Sequence, residues 1–178
     1  MSKTKTTGRF IWHDLLSPDP KAALAFYSEL FGWKSRAMDM GGRGTYTILS
    51  LGDKDIGGAM SAADAKGIPA NWQSYFSTPD IDATVKQVES LGGKVIVKAT
   101  DIPGGGRFAV LTDAQGAHFG LLAPKEDRAE SHAMPRAHEF CWVELHTDDP
   151  KAAVAFYGKV FGWTLKQESA APAGRRTM

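Results

Sequence analysis

The chain has a single cysteine, Cys141, among 178 residues, so no internal disulfide can form and the expected setting is a reducing cytoplasm. It also lacks an excess of either charge, with 21 Lys+Arg against 20 Asp+Glu leaving +1. Without a basic surplus, little is available to neutralise a phosphate backbone, which argues against nucleic acid as a partner. No apolar run approaches the roughly 18 residues of a membrane span, and no apolar stretch follows the N-terminal lysines. Neither membrane attachment nor a signal peptide is therefore expected. What is present is ordinary globular material, 43% hydrophobic and 23% charged, at a length that suits one domain or one domain plus a fragment.

The dominant feature is an internal repeat. Residues 10–33 and 140–163 align at an offset of 130, with 14 of 24 positions identical, among them Asp-Pro-Lys-Ala-Ala, Ala-Phe-Tyr and Phe-Gly-Trp. That period is too long for a solenoid and reads as a duplicated unit. Each copy follows one local logic. Arg9 to Leu16 reads as a strand; Asp19 then caps a helix with Pro20 at its first position. Ala23, Phe26, Tyr27, Leu30 and Phe31 recur at helical spacing, and Gly32 ends the helix. Three strands are expected next, Trp33–Met40, Thr45–Leu51 and Asp55–Met60, separated by glycine-rich turns. A looser version of the same order follows. Trp72–Ser77 reads as a strand, Asp80 caps a helix striped with Ile81, Val85, Val88 and Leu91, and Lys94–Thr100, Arg107–Leu111 and Ala117–Leu122 read as strands.

With Asp19-Pro20 through Ala25-Phe26-Tyr27, the Phe31-Gly32-Trp33 helix end and Arg107 through Gly116 in view, the sequence resembles the vicinal oxygen chelate superfamily. That is the glyoxalase, bleomycin-resistance and ring-cleaving dioxygenase group. The resemblance implies an α+β fold in which paired βαβββ modules form a cupped, eight-stranded mixed sheet. Residues 9–123 would be one such domain, 124–137 a linker, and 138–178 the truncated start of a second. It also implies four inward positions for a divalent metal. These fall on Trp12, on the segment Ile56-Gly57-Gly58-Ala59, on Gln73 and on Gly120. An indole offers no free lone pair, glycine offers no donor, and an amide oxygen is a weak one, so no metal and no cofactor is expected here.

Strand alternation sends Trp12, Asp14 and Leu16 into the cup and Ile11, His13 and Leu15 toward the helices. By the same parity Gln73 and Tyr75 face inward, with His118 beside the Gly120 position. Trp12, Asp14, Gln73, Tyr75, Arg107 and His118 are thus the candidate ligand-binding residues, an apolar wall with a few orienting polar groups. Asp14 and His118 could form an acid–base pair, but spacing fixes no distance between them. Gly104-Gly105-Gly106 leads into a strand rather than a helix, so it reads as a lip over the cup and not a phosphate loop. His13 and Cys141 fall on helix-facing positions and read as core.

The expected function is metal-independent binding of a small organic molecule in the cup. The alternative is an enzyme of the superfamily's kind, either a metal-dependent lyase or dioxygenase or a metal-free isomerase or hydroxylase-like catalyst. The apolar positions of 138–163 have no sheet of their own. They are expected to pack on the first domain or to build a homodimer.

Overall fold

The computed structural model describes residues 7–40, 45–62, 69–125 and 135–166. The elements run β1 (Phe10–Ser17), α1 (Pro20–Phe31), β2 (Lys34–Asp39), β3 (Thr45–Leu51), β4 (Lys54–Ser61), β5 (Asn71–Ser77), α2 (Ile81–Ser90), β6 (Lys94–Ile102), β7 (Gly106–Thr112), β8 (His118–Pro124) and α3 (Pro150–Phe161). The strands form one curled, mixed sheet in the order β2-β3-β4-β1-β5-β8-β7-β6. Each half is a βαβββ unit, and the halves meet where β1 and β5 pair antiparallel. That seam is symmetric: His13 faces Ser74, and each lies six residues before the aspartate that caps the following helix. Trp12 therefore faces Tyr75 and Asp14 faces Gln73.

The helices form where local signals predict. Asp19 Oδ1 accepts from the Ala22 amide at 3.0 Å, Pro20 opens α1, and Gly32, at φ 69°, closes it on the Ser28 carbonyl. α2 is capped alike by Asp80, and α3 repeats α1 down to the cap, with Asp149 Oδ1 to the Ala152 amide at 3.0 Å and Gly162 at φ 71°. Below α1 lies a cluster of Trp33, Leu49 and Ile56, joined by Leu24, Tyr27, Phe31, Trp72 and Phe140. Under α2 and α3 lies a larger one, where Phe76, Ile81, Val88, Leu111, Phe119 and Leu121 meet Phe156, Tyr157, Val160 and Phe161.

The later copy of the repeat departs from expectation in its first half. Its helix packs on the outer face of the second module, beside α2. There Tyr157 donates its hydroxyl to Asp113 Oδ2 at 3.0 Å, and Trp163 Nε1 donates to the Gly8 carbonyl at 3.0 Å. The strand expected ahead of it does not form: residues 140–148 carry no regular structure and join no sheet, and Cys141 is exposed rather than core. A capped helix closes its own hydrogen bonds, whereas a strand requires a neighbour's ladder. Of the expected linker, Pro124 completes β8, and residues 126–134 lie outside the described residues. No helix among the described residues is long and apolar enough to cross a membrane.

Candidate functional site

The concave side of the sheet encloses a cavity of about 460 Å³. Trp12 and Asp14 of β1, Tyr75 of β5, Tyr46 and Ile48 of β3, and Met38, Met40, Met60, Phe108 and Leu122 line it. Gly104 and Gly105 border it from the β6–β7 hairpin, with Asp55 and the exposed Lys125. Apart from those two charges the wall is apolar, with one polar cluster set into it.

That cluster is built around Asp14, which is only 4% exposed. Tyr46 donates its hydroxyl to Asp14 Oδ1 at 2.5 Å, and Trp12 Nε1 donates to the same oxygen at 2.9 Å. The Trp12 N–H also reaches the Tyr46 hydroxyl oxygen at 2.7 Å, and Tyr75 hydrogen-bonds the carboxyl from the facing strand. Burial raises the Asp14 pKa from its ordinary value, because the low-dielectric wall penalises its charge. The hydrogen bonds from Tyr46, Tyr75 and Trp12 oppose that shift without cancelling it. Tyr75 is pushed well up, first by burial and then by the charge of Asp14. The group is thus a buried carboxyl ringed by an indole N–H and two phenols inside an otherwise apolar cavity.

Two glycines make room for it. A Cβ on Gly58, opposite Asp14 in the β1–β4 register, would fall on the Tyr46 hydroxyl and 2.8 Å from Asp14 Oδ1. A Cβ on Gly120, opposite Tyr75, would run into the Tyr75 ring. The tyrosines fill the space that side chains from β4 and β8 would otherwise occupy.

The six candidate residues separate. Trp12, Asp14 and Tyr75 come together in the cavity wall. Gln73 is buried beside Asp14 in register, but its amide donates to the Ser74 carbonyl at 3.2 Å and it is not part of the lining. Arg107 turns outward, held by Asp82 Oδ2 at 2.6 Å and Asp101 Oδ1 at 3.1 Å, and borders a shallow depression beyond the cavity. His118 is the exposed first residue of β8, paired with Thr112 and outside the cavity lining. Tyr46 is the member that sequence reasoning missed. Its signal was the Gly57-Gly58 pair one strand away, which leaves a hole for a large neighbour.

His13, on the other face, accepts or donates to Ser74 Oγ at 3.1 Å and stacks on Phe140 with ring centroids 4.1 Å apart. Burial lowers its pKa to about 4.

The model of the Glyoxalase/Bleomycin resistance protein/Dioxygenase superfamily matches residues 9–121. The chain belongs to this superfamily. A bleomycin resistance protein-like N-terminal model matches residues 139–170, the later copy of the repeat. Among curated superfamily relatives, the glyoxylase-type protein CFP32 of Mycobacterium tuberculosis is 42% identical over 118 residues, covering 66% of this chain and 45% of the relative. The anthracycline biosynthesis protein DauV of Streptomyces sp. is 37% identical over 165 residues, covering 85% and 59%. The chain thus spans about half the length of the curated relatives it matches. Among solved structures, the Mn(II)-bound glyoxalase of Novosphingobium aromaticivorans matches with TM-score 0.58 at 18% identity, over 90% of this chain and 54% of that one. Methylmalonyl-CoA epimerase of Mycobacterium tuberculosis matches with TM-score 0.51 at 17% identity, over 71% and 94%. At such identities the two structures establish the superfamily's fold.

Proposed function

We propose that this chain is a metal-independent member of the superfamily that binds a planar aromatic molecule bearing carbonyl or hydroxyl groups. The observation that carries this reading is the Trp12–Asp14–Tyr46–Tyr75 cluster set in an otherwise apolar cavity. Trp12, Phe108 and three methionines offer flat and polarizable surface for rings. The Asp14 carboxyl and two phenolic hydroxyls offer polar partners for the ligand's oxygens. The volume falls within the range of small-molecule sites, roughly 300–1,000 Å³. The name of DauV, an anthracycline biosynthesis protein, supports the ligand class, since anthracyclines are flat hydroxylated quinones.

The donor set does not fit a divalent metal. Positions 58 and 120 are glycines whose side-chain space the tyrosine rings fill, and the Trp12 nitrogen is itself a donor engaged with Asp14. Asp14 is left as one carboxylate between two phenols. Among the described residues no three His, Cys, Asp or Glu side chains gather. Two or more further protein ligands would be needed to hold a catalytic metal.

Quenching of tryptophan fluorescence by a hydroxyanthraquinone, in chelator-treated protein, tests the reading. Saturable binding that weakens at least tenfold in Gly58→Ala, where the new methyl displaces the Tyr46 hydroxyl, is expected. Binding that requires added Mn(II), Ni(II) or Zn(II), or none at all, contradicts it. The raised pKa of Asp14 favours a second reading, a metal-free proton-transfer catalyst on the same ligand class. Turnover lost in Asp14→Asn with binding retained would select it over binding alone.

A further inference from the structure

The donors of the polar cluster are already engaged with one another's acceptors. Trp12 carries one side-chain N–H, and Tyr46 and Tyr75 carry one O–H each; an indole nitrogen accepts nothing. Trp12 Nε1 and the Tyr46 hydroxyl both reach Asp14 Oδ1, at 2.9 and 2.5 Å, and Tyr75 bonds the same carboxyl. All three hydrogens therefore point at one group. The apolar lining side chains, among them Met38, Phe108 and Leu122, have no hydrogen-bond donor to offer. At the border, Asp55 is an acceptor clamped by Arg36 at 2.8 and 3.3 Å, and the Lys125 ammonium stands in an exposed residue. Among the described residues, no side-chain donor is left over inside the cavity.

Acceptors, in contrast, are in surplus. A carboxylate has about four lone-pair sites and each phenol oxygen two. The Tyr46 oxygen takes one bond, from Trp12 Nε1 at 2.7 Å. No Lys, Arg or His side chain among the described residues pairs with Asp14; what acts on it is burial and the bonds from its three aromatic neighbours. Facing strands do not change this balance, because the positions opposite Asp14 on β4 and opposite Tyr75 on β8 are Gly58 and Gly120.

We infer that the cavity selects its ligand by a hydrogen-bond donor, an aryl O–H or N–H set against Asp14 and the two phenol oxygens, and rejects a ligand that brings only carbonyl or ether oxygens to that point. This rests on the proposed reading of the cavity as a site for aromatic molecules and narrows it. A carbonyl oxygen that enters the cluster leaves its water behind and finds no hydrogen in exchange, which is the costly way to bury a polar group. An anionic substituent fares worse, since it meets a carboxyl inside a low-dielectric wall. A neutral phenol or aryl amine supplies the hydrogen that the wall lacks.

Competition in the tryptophan-quenching assay with a matched set of compounds tests the inference. The set is a monohydroxyanthraquinone whose hydroxyl lies away from the quinone carbonyls, the corresponding aminoanthraquinone, the methyl ether, unsubstituted anthraquinone and the anthraquinone carboxylate, with all but the last neutral in the buffer used. The hydroxyl and amino compounds are expected to bind at least about tenfold more tightly than the ether and the parent, with the carboxylate weakest. The parent controls for the bulk of the added methyl, and a preference confined to the phenol or to the amine names the donor. Asp14→Asn places an amide N–H on the wall, so the ratio of phenol to ether affinity is expected to shrink toward one. A purely structural role for Asp14 would weaken both compounds alike and leave the ratio unchanged, which overturns the inference. If Asp14→Asn does not fold, the wild-type ratio decides: phenol and ether that bind equally overturn the inference while the aromatic site stands. If no compound of the set binds, the aromatic site itself falls and the inference with it.

Discussion

α1 and α3 are nearly the same helix in different surroundings. Both begin Asp-Pro-Lys-Ala-Ala, end Phe-Gly-Trp, and share cap geometry. α3 buries Phe156, Tyr157, Val160 and Phe161 against the second module; α1 buries no residue fully and leaves Phe26 59% and Leu30 53% exposed. The preceding strands differ in the reverse sense: β1 is the centre of the sheet, and its copy at 140–147 is unpaired. The helix is encoded locally by its caps and stripe, so it forms wherever the sequence recurs. A strand is encoded by its neighbours, so the same residues yield β1 in one place and an open segment in the other.

Substitutions made in parallel in both copies sharpen this contrast. The largest difference is expected at the aromatic pair. Phe156→Ala should cost about 3–4 kcal/mol in urea denaturation, and Phe26→Ala less than about 1 kcal/mol. Equal losses would mean that α1 is covered in solution.

Next comes the centre of the strand, where β1 has His13 and its copy Val143. The folded pKa of His13, about 4, lies below its ordinary 6.5, so the unfolded chain binds the proton more readily. Stability from this group is complete above pH 6.5 and falls by up to about 3 kcal/mol as pH drops toward 4. His13→Val should flatten that slope in melting temperature against pH. The Val143→His counterpart, at an exposed site, should leave the slope as it is.

The indoles should differ more modestly. Trp12→Phe removes an N–H shared by Asp14 and Tyr46 and should cost about 1–3 kcal/mol, while Trp142→Phe should change thermal stability by less than about 0.5 kcal/mol. The smallest effect should also be the most alike in the two copies. Asp19→Ala and Asp149→Ala each remove the same cap bond and should each cost about 1 kcal/mol.

The same physics explains what could be read in advance. The eight strands and three helices of the described residues, and the inward direction of Trp12, Asp14 and Tyr75, follow from caps, stripes and alternation, all local properties. Tyr46 escaped because its partner Asp14 lies two strands away in the sheet, and only Gly58 between them hinted at the contact. Arg107 reads as a candidate ligand-binding residue, but Asp82 at the start of α2, 25 residues away in sequence, holds it. Cys141 reads as core by strand parity, but parity carries no meaning where no sheet forms, and the residue is exposed.

The central claim of the proposed function is that tyrosines and an indole occupy the cavity wall in place of cation donors and hold the Asp14 carboxyl among their own N–H and O–H groups. Equilibrium dialysis of purified protein against Mn(II), Ni(II) and Zn(II), followed by elemental analysis, measures this most directly. Metal content far below one ion per chain, the same in wild type and Asp14→Asn, is the predicted result. One tightly held ion per chain that disappears in Asp14→Asn would contradict it.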